Sequence, residues 1–291
     1  MKTRLTIRPS SSAAGDLVCD LDMPLRWEEL TQEELRLLMT LQTMNLKPTM
    51  MLLLMLEAMC GMRPVDDTRR KSAGNGGSRR KSAGNGGGEP RGETSGHADP
   101  DGGRLYSFQC GKYRLELSSR ALGYAVETMR WMLEPAKSPV RLDEWGGCEA
   151  MSAELYEASF DEYLRLENLY QGYLQTQNEE TLDAMLRILY QMPDDKALPD
   201  GRERQVGRCC VLVWMAGWKA MAGAQWPDLF CPAANATGTG AEEDMMRVMN
   251  AELRALTGGD VTKEREVRGV DCWRALEELN AKAREAREYR K

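Results

Sequence analysis

From residue 119 to its end this chain reads as one helical pattern after another, and that run constrains the fold more than any other feature. Apolar side chains recur at helical spacing over 120–133, 153–176, 179–191, 203–223, 242–256 and 262–289. The breaks between them fall at Pro135, Asn178, Pro193, Pro227 and Gly258-Gly259. Proline lacks the N–H a helix needs, and glycine gives up the most backbone freedom, so these are the expected stops. The last pattern ends in a mixed-charge tail, Lys282 to Lys291, of the kind that stays solvated or packs through one narrow stripe.

The first part of the chain is mixed. Arg4 to Arg8 alternates like a short strand, and Leu17 to Leu21 is a second candidate. Thr31 then stands as a helix N-cap with Glu34 three residues on, a capping box, while Leu30 and Leu35 occupy hydrophobic-staple positions. Leu35, Leu38 and Met39 share a face of that helix. Pro48 opens the next one, which runs through Met50–Leu56 and stops at Gly61. Further on, Leu105–Phe108 and Tyr113–Leu117 alternate on either side of Cys110-Gly111-Lys112, a hairpin pattern. Pairing this hairpin with the N-terminal strand makes a small sheet.

Between these halves lies a stretch, 66–103, rich in Gly, Ser, Arg and Asp. Within it Arg69-Arg70-Lys71-Ser72-Ala73-Gly74-Asn75-Gly76-Gly77 recurs at Arg79 to Gly87, a duplication at ten-residue spacing. So few large apolar residues cannot offset the entropy of ordering, and the stretch reads as a long disordered insertion. The expected architecture is therefore mainly α. Residues 1–65 supply strands and two helices, 66–103 the insertion, 104–118 the hairpin, and 119–291 a multi-helix domain.

Several chemistries are excluded by composition. The single histidine, His97, lies in the insertion, which removes the usual Ser/His and Cys/His hydrolases and His-ligated zinc enzymes. The net charge of −6 argues against a dedicated duplex-DNA binder. The two Arg-Arg-Lys-Ser clusters read as a basic loop that aids solubility, since no aromatic side chains accompany them. Of eight cysteines, Cys60, Cys209, Cys210 and Cys272 sit in apolar, helix-like stretches, and no C-x-x-C occurs. Reduced structural thiols are the expectation. The start, Met1 to Leu5, has no apolar signal core. The most apolar run is closed by Glu57 far short of the ~20 residues a membrane span needs. A cytoplasmic protein without a membrane role is expected.

No catalytic, cofactor-binding or metal-binding residue stands out. The glycine runs at Gly74–Gly77 and Gly84–Gly88 neither follow a strand nor open a helix. Vicinal Cys209-Cys210 has no second ligand pair. Glu242-Glu243-Asp244 suits a helix start, and Asp194-Asp195 follows Pro193 in a turn. The aromatic stripes are the strongest remaining feature. Trp214 and Trp218 lie four apart, with Met215 and Met221 beside them; Tyr156, Phe160, Tyr163, Tyr170 and Tyr173 follow helical spacing elsewhere. Core packing is the first reading and partner contact the second, with Tyr163, Tyr170, Trp214 and Trp218 as the candidates.

Three blocks together carry a resemblance: Trp27 to Leu35; Phe160-Asp161-Glu162-Tyr163 through Asn168, Tyr170, Tyr173 and Leu174 to Tyr190; and Leu256 to Glu264 with Trp273-Arg274-Ala275-Leu276 and Glu278-Leu279-Asn280. This pattern resembles uncharacterised proteins encoded in tail modules of phages and prophages of the Bacteroidetes. The resemblance implies a tail-assembly chaperone of the bacterial host cytoplasm, whose partner is a tape-measure or tail-tube protein. The alternatives are a structural virion component, such as a connector or tail completion protein, and an enzyme with a carboxylate- or cofactor-based site. The duplicated insertion departs from the pattern.

Overall fold

The computed structural model describes residues 3–7, 19–65, 105–110, 113–230 and 241–289. It is mainly α-helical with small antiparallel sheets. The insertion lies outside the described residues, as do both Arg-Arg-Lys-Ser clusters and His97. Contacts divide the chain into two units: Met1–Leu25 with Pro48–Trp131, and Arg26–Lys47 with Met132–Lys291.

In the first unit, β1 (Thr3–Ile7) pairs antiparallel with β2 (Cys19–Met23) in the register Thr3↔Met23 to Ile7↔Cys19. Helix α2 (Pro48–Met59) buries Met51, Leu52, Met55 and Leu56, one stripe of an otherwise uniformly apolar helix. Gly61, with φ +60°, turns the chain into β3 (Met62–Pro64). This short strand pairs with β4 (Leu105–Cys110), which in turn pairs with β5 (Tyr113–Ser118). The hairpin expected from sequence is present, but its third strand is β3 and not the N-terminal strand. Three residues ending in proline are too short to show alternation. Their pairing is decided by α2, which delivers Met62 to a core shared with Phe108, Leu115 and Leu117. Helix α3 (Ser119–Thr128) follows, with Ser118 as its N-cap. Arg130–Leu133, expected as helix, is a 3-10 turn.

The second unit is built on α6 (Gly201–Gln225). Val206, Cys210, Val211, Trp214, Met215, Trp218 and Ala222 are buried along it at helical spacing. Helix α1 (Gln32–Gln42) packs along α6 and belongs to this unit, which corrects its assignment to a 1–65 segment. Its capping box is present as read: Thr31 Oγ1 accepts from Glu34 N at 3.2 Å, and Glu34 Oε2 accepts from Thr31 N at 2.8 Å. Arg36 pairs with Glu203 of α6 at 2.7 Å, and Gln32 exchanges hydrogen bonds with the backbone of Arg141 and Asp143. These are specific long-range contacts that periodicity cannot show.

Helix α5 (Glu179–Leu189) packs on α6 and on α4 (Phe160–Thr176), and α7 (Ala241–Thr257), α8 (Glu264–Arg268) and α9 (Cys272–Glu288) pack on α4. Two sequence boundaries are corrected here. Helix α4 starts at Phe160 behind a Ser159–Glu162 capping box, not at 153. The expected helix 262–289 is a 3-10 turn (Val261–Lys263), then α8, a break, and α9. Tertiary hydrogen bonds hold that break: Val270 O accepts from Phe160 N at 2.7 Å, and Cys272 N donates to Ala158 O at 3.0 Å. A two-residue ribbon, β6 (Glu144–Trp145) with β7 (Cys148–Glu149), completes the unit.

Candidate functional site

Three indoles converge on one loop. Trp214 Nε1 donates to Ala153 O at 2.7 Å, while Trp218 and Trp273 both donate to Glu154 O, at 3.2 and 2.8 Å. These tertiary bonds hold the loop while Leu155 takes left-handed backbone, which a helix cannot contain, so 153–159 stays non-helical although its residues suit a helix. Leu155 holds φ +63° within the loop and is fully buried. Tyr156, half-exposed, stacks on Trp273 with ring centroids 4.7 Å apart, and Trp226 meets Trp273 edge-on at 4.9 Å.

This arrangement places the aromatic candidates. Trp214, Trp218 and Tyr163 have 0, 0 and 2% of their surface exposed, so the expectation of partner contact is corrected to core packing for these three. Satisfied indole N–H groups let such large rings be buried without a desolvation penalty. Tyr170 alone of the four is only half-buried, on α4.

A buried charged cluster lies next to this core, and periodicity gave no sign of it. Glu167 of α4, 8% exposed, accepts at Oε1 from Lys219 Nζ at 2.7 Å and from Gln171 Nε2 at 3.0 Å. Its Oε2 is buried with no hydrogen-bond partner. Glu252 of α7 joins them: burial, and then repulsion from Glu167, push its carboxyl up to about 7 against the opposing pull of Lys219. Burial and the same two carboxyls hold the Tyr163 hydroxyl far above its ordinary range. The three charged residues come from three helices, α4, α6 and α7, far apart along the chain, so no sequence motif announces them.

A second ionic network ties α5 to α6. Arg208 forms a fork on Asp183, Nε to Oδ1 at 2.8 Å and Nη2 to Oδ2 at 2.6 Å, and also binds Glu179. Both partners lie on one face of α5, four residues apart. This is structural chemistry, a bidentate pair that joins two helices.

The thiols follow their environments. Cys60, Cys110, Cys148, Cys209, Cys210 and Cys272 are free. Burial pushes Cys209 up to about 11 and Cys272 up to about 12, and it raises Cys210, which accepts from Leu142 N and lies 3.6 Å from the Tyr190 hydroxyl. Raised thiols in apolar surroundings are inert, so the vicinal pair is packing. Among the described residues no group of three His, Cys, Asp or Glu is arranged to hold a metal ion, and no helix is long and apolar enough to cross a membrane.

An open depression of about 610 Å³ lies among α7, α8 and α9. It is lined by the apolar Leu256, Val267, Val270, Ala275 and Ala281 and by the charged Arg274, Glu277 and Glu278. Leu256, Val267, Val270 and Ala281 remain partly open to solvent, and the three charged residues are exposed. Such a strip fits the apolar edge of a helix. Comparison of the chain with protein-family models, with curated proteins and with solved structures gives no match.

Proposed function

We propose that this chain is a non-enzymatic helical assembly protein that holds an amphipathic helix of a long protein partner, the tape-measure or tube protein of a phage tail, in the host cytoplasm. One observation carries the reading: a depression lined by the apolar Leu256, Val267, Val270, Ala275 and Ala281 beside Arg274, Glu277 and Glu278. The occupant that suits it has small apolar residues at i, i+3, i+4 and i+7 and a lysine or arginine that meets Glu277, since Glu278 pairs with Lys282 at 3.1 Å. The choice of a tail protein rests on the resemblance carried by the Trp27, Phe160 and Leu256 blocks.

The test is co-expression of the tagged chain with the tape-measure and tube proteins of its own gene cluster, followed by pull-down. Recovery of one of them with wild type, and its loss with Val267→Glu and Ala281→Glu at unchanged melting temperature, is the expected result. Equal recovery with wild type and variants overturns the groove as the binding site. Purified particles should lack the protein; finding it there in stoichiometric amount selects a structural virion component instead.

The Glu167–Lys219–Glu252 cluster favours a second reading, an enzyme that uses carboxylates, because a carboxyl poised near neutrality is what general acid–base chemistry requires. A small-molecule binding screen that finds a ligand displaced by Glu252→Gln, with no partner captured, decides for it.

A further inference from the structure

The tip of the β6–β7 ribbon is held by one lysine. Gly146 and Gly147, with φ +60° and +68°, form a two-residue turn of the kind that needs left-handed backbone at both positions. Lys196 reaches across from the α5–α6 connection. Its Nζ donates to Gly147 O at 2.8 Å and to Cys148 Sγ at 3.1 Å.

Both ends of this contact are fixed. On the ribbon, the neighbouring Trp145 is fully buried and donates from Nε1 to Glu203 O at 3.0 Å. On the connection, Arg187 donates to Pro193 O at 3.2 Å and to Lys196 O at 3.1 Å, while Lys196 N donates to Pro193 O. The amine and the sulfur are thus held together by two anchored segments, not by the chance meeting of two mobile side chains. Both residues are only partly buried, so a small oxidant reaches them, in contrast to the buried Cys210 and Cys272.

We propose that Cys148 and Lys196 are a redox-dependent crosslinking site, in which hydrogen peroxide drives formation of a reversible S–N bond between the two side chains. The step balances. The Cys148 thiolate attacks one peroxide oxygen and the O–O bond breaks, so the sulfur loses two electrons and the peroxide gains them. The departing hydroxide takes a proton from the Lys196 ammonium and leaves as water, giving Cys148–S–OH and a neutral amine. The amine nitrogen then attacks the sulfenic sulfur; an S–N bond forms, the S–O bond breaks, and a second water leaves with the amine's proton. Condensation of a sulfenic acid with a nearby nitrogen is known cysteine chemistry, and the observed contact supplies the nearby nitrogen. A thiol reductant reverses it by attacking the same sulfur.

The product ties the ribbon tip covalently to the α5–α6 connection and shields Cys148 from further, irreversible oxidation. The experiment is peptide mapping by mass spectrometry of the full chain after mild hydrogen peroxide treatment under denaturing digestion, with and without dithiothreitol. The expected result is a linked peptide pair joining Cys148 to Lys196, lighter by about 2 Da than the sum of the two peptides, lost on reduction. Cys148→Ser and Lys196→Arg should both lack it, the latter while keeping a cation at the same position and the wild-type melting temperature. If Cys148 instead accumulates as sulfinic or sulfonic acid at the same rate in wild type and Lys196→Arg, or is found only in disulfides, the proposal is wrong. The outcome is independent of whether any partner occupies the α7–α9 groove.

Discussion

Gly217→Ala separates what helix propensity says from what packing says. In an isolated helix the change is favourable by about 1 kcal/mol, because glycine leaves most backbone freedom to lose. In this structure a Cβ at Gly217 meets Ser138 O at 2.1 Å, Ser138 C at 2.5 Å and Pro139 Cα at 3.0 Å. Ordinary carbon–oxygen contact is about 3.3 Å, so one backbone segment must retreat by roughly 1 Å from the middle of α6. Overpacking of buried side chains costs about 1–3 kcal/mol, and a clash with main chain sits at the upper end because no rotamer change relieves it. Taking about 3 against the favourable 1 leaves a net loss of about 2 kcal/mol. With a urea slope of about 2 kcal/mol per molar, the midpoint falls by about 1 M. Gly223→Ala is the control. It lies in the same helix with nothing within 4 Å of its would-be Cβ, and it should gain about 0.5–1 kcal/mol. Tryptophan fluorescence is the suitable probe, since of all the tryptophans only Trp131 belongs to the first unit. If the two variants move the midpoint in the same direction by similar amounts, the close approach of α6 to Ser138-Pro139 is refuted.

Glu252 supplies a pH test. Its carboxyl is raised from an ordinary 4.5 to about 7 in the fold, so it binds a proton more tightly folded than unfolded. Its contribution is fully present below about pH 4.5 and is lost as pH rises through about 7, with an upper limit of about 3 kcal/mol. Glu252→Gln should flatten that stretch of the stability–pH curve and be the more stable protein at pH 8; an unchanged slope between pH 5 and 8 in urea titrations would mean the carboxyl is solvated. Arg208→Ala removes the cation from between Asp183 and Glu179 and should cost about 3–5 kcal/mol. Arg208→Lys should recover only part, because an ammonium cannot form the fork on Asp183. Trp214→Ala empties a fully buried ring site and leaves Ala153 O without its donor, for a loss of about 3–5 kcal/mol by calorimetry; wild-type melting with lost partner binding would return Trp214 to the surface.

Much of the local structure could be read directly from residues. The Thr31–Glu34 box, Pro48 at a helix start, the alternation on both arms of the β4–β5 hairpin, and the stops at Asn178 and Gly258-Gly259 are all encoded within a few positions of where they act. Local signals failed where distant groups hold the backbone. The loop at 153–159 has helix-forming residues, yet indoles from α6 and α9 hold it while Leu155 takes left-handed backbone, and the break before α9 is held by hydrogen bonds to residues more than a hundred positions away.

The same distinction separates the aromatic stripes from the charged cluster. Helical spacing was enough to identify Tyr163, Trp214 and Trp218 as one-sided residues, because burial demands periodicity whatever lies opposite. It could not say that the opposite side is this protein's own core, nor that Glu167, Lys219 and Glu252 meet there from α4, α6 and α7. Nor could it show that Lys196 rests on Cys148 across two connections. Sequence by itself determined the interiors and most caps of the long helices and which face of each is apolar, since those depend on neighbours along the chain. Only the tertiary structure decided which faces meet, where α1 belongs and which strand completes the hairpin, because those depend on groups brought together by packing, whose separation along the chain carries no periodic trace.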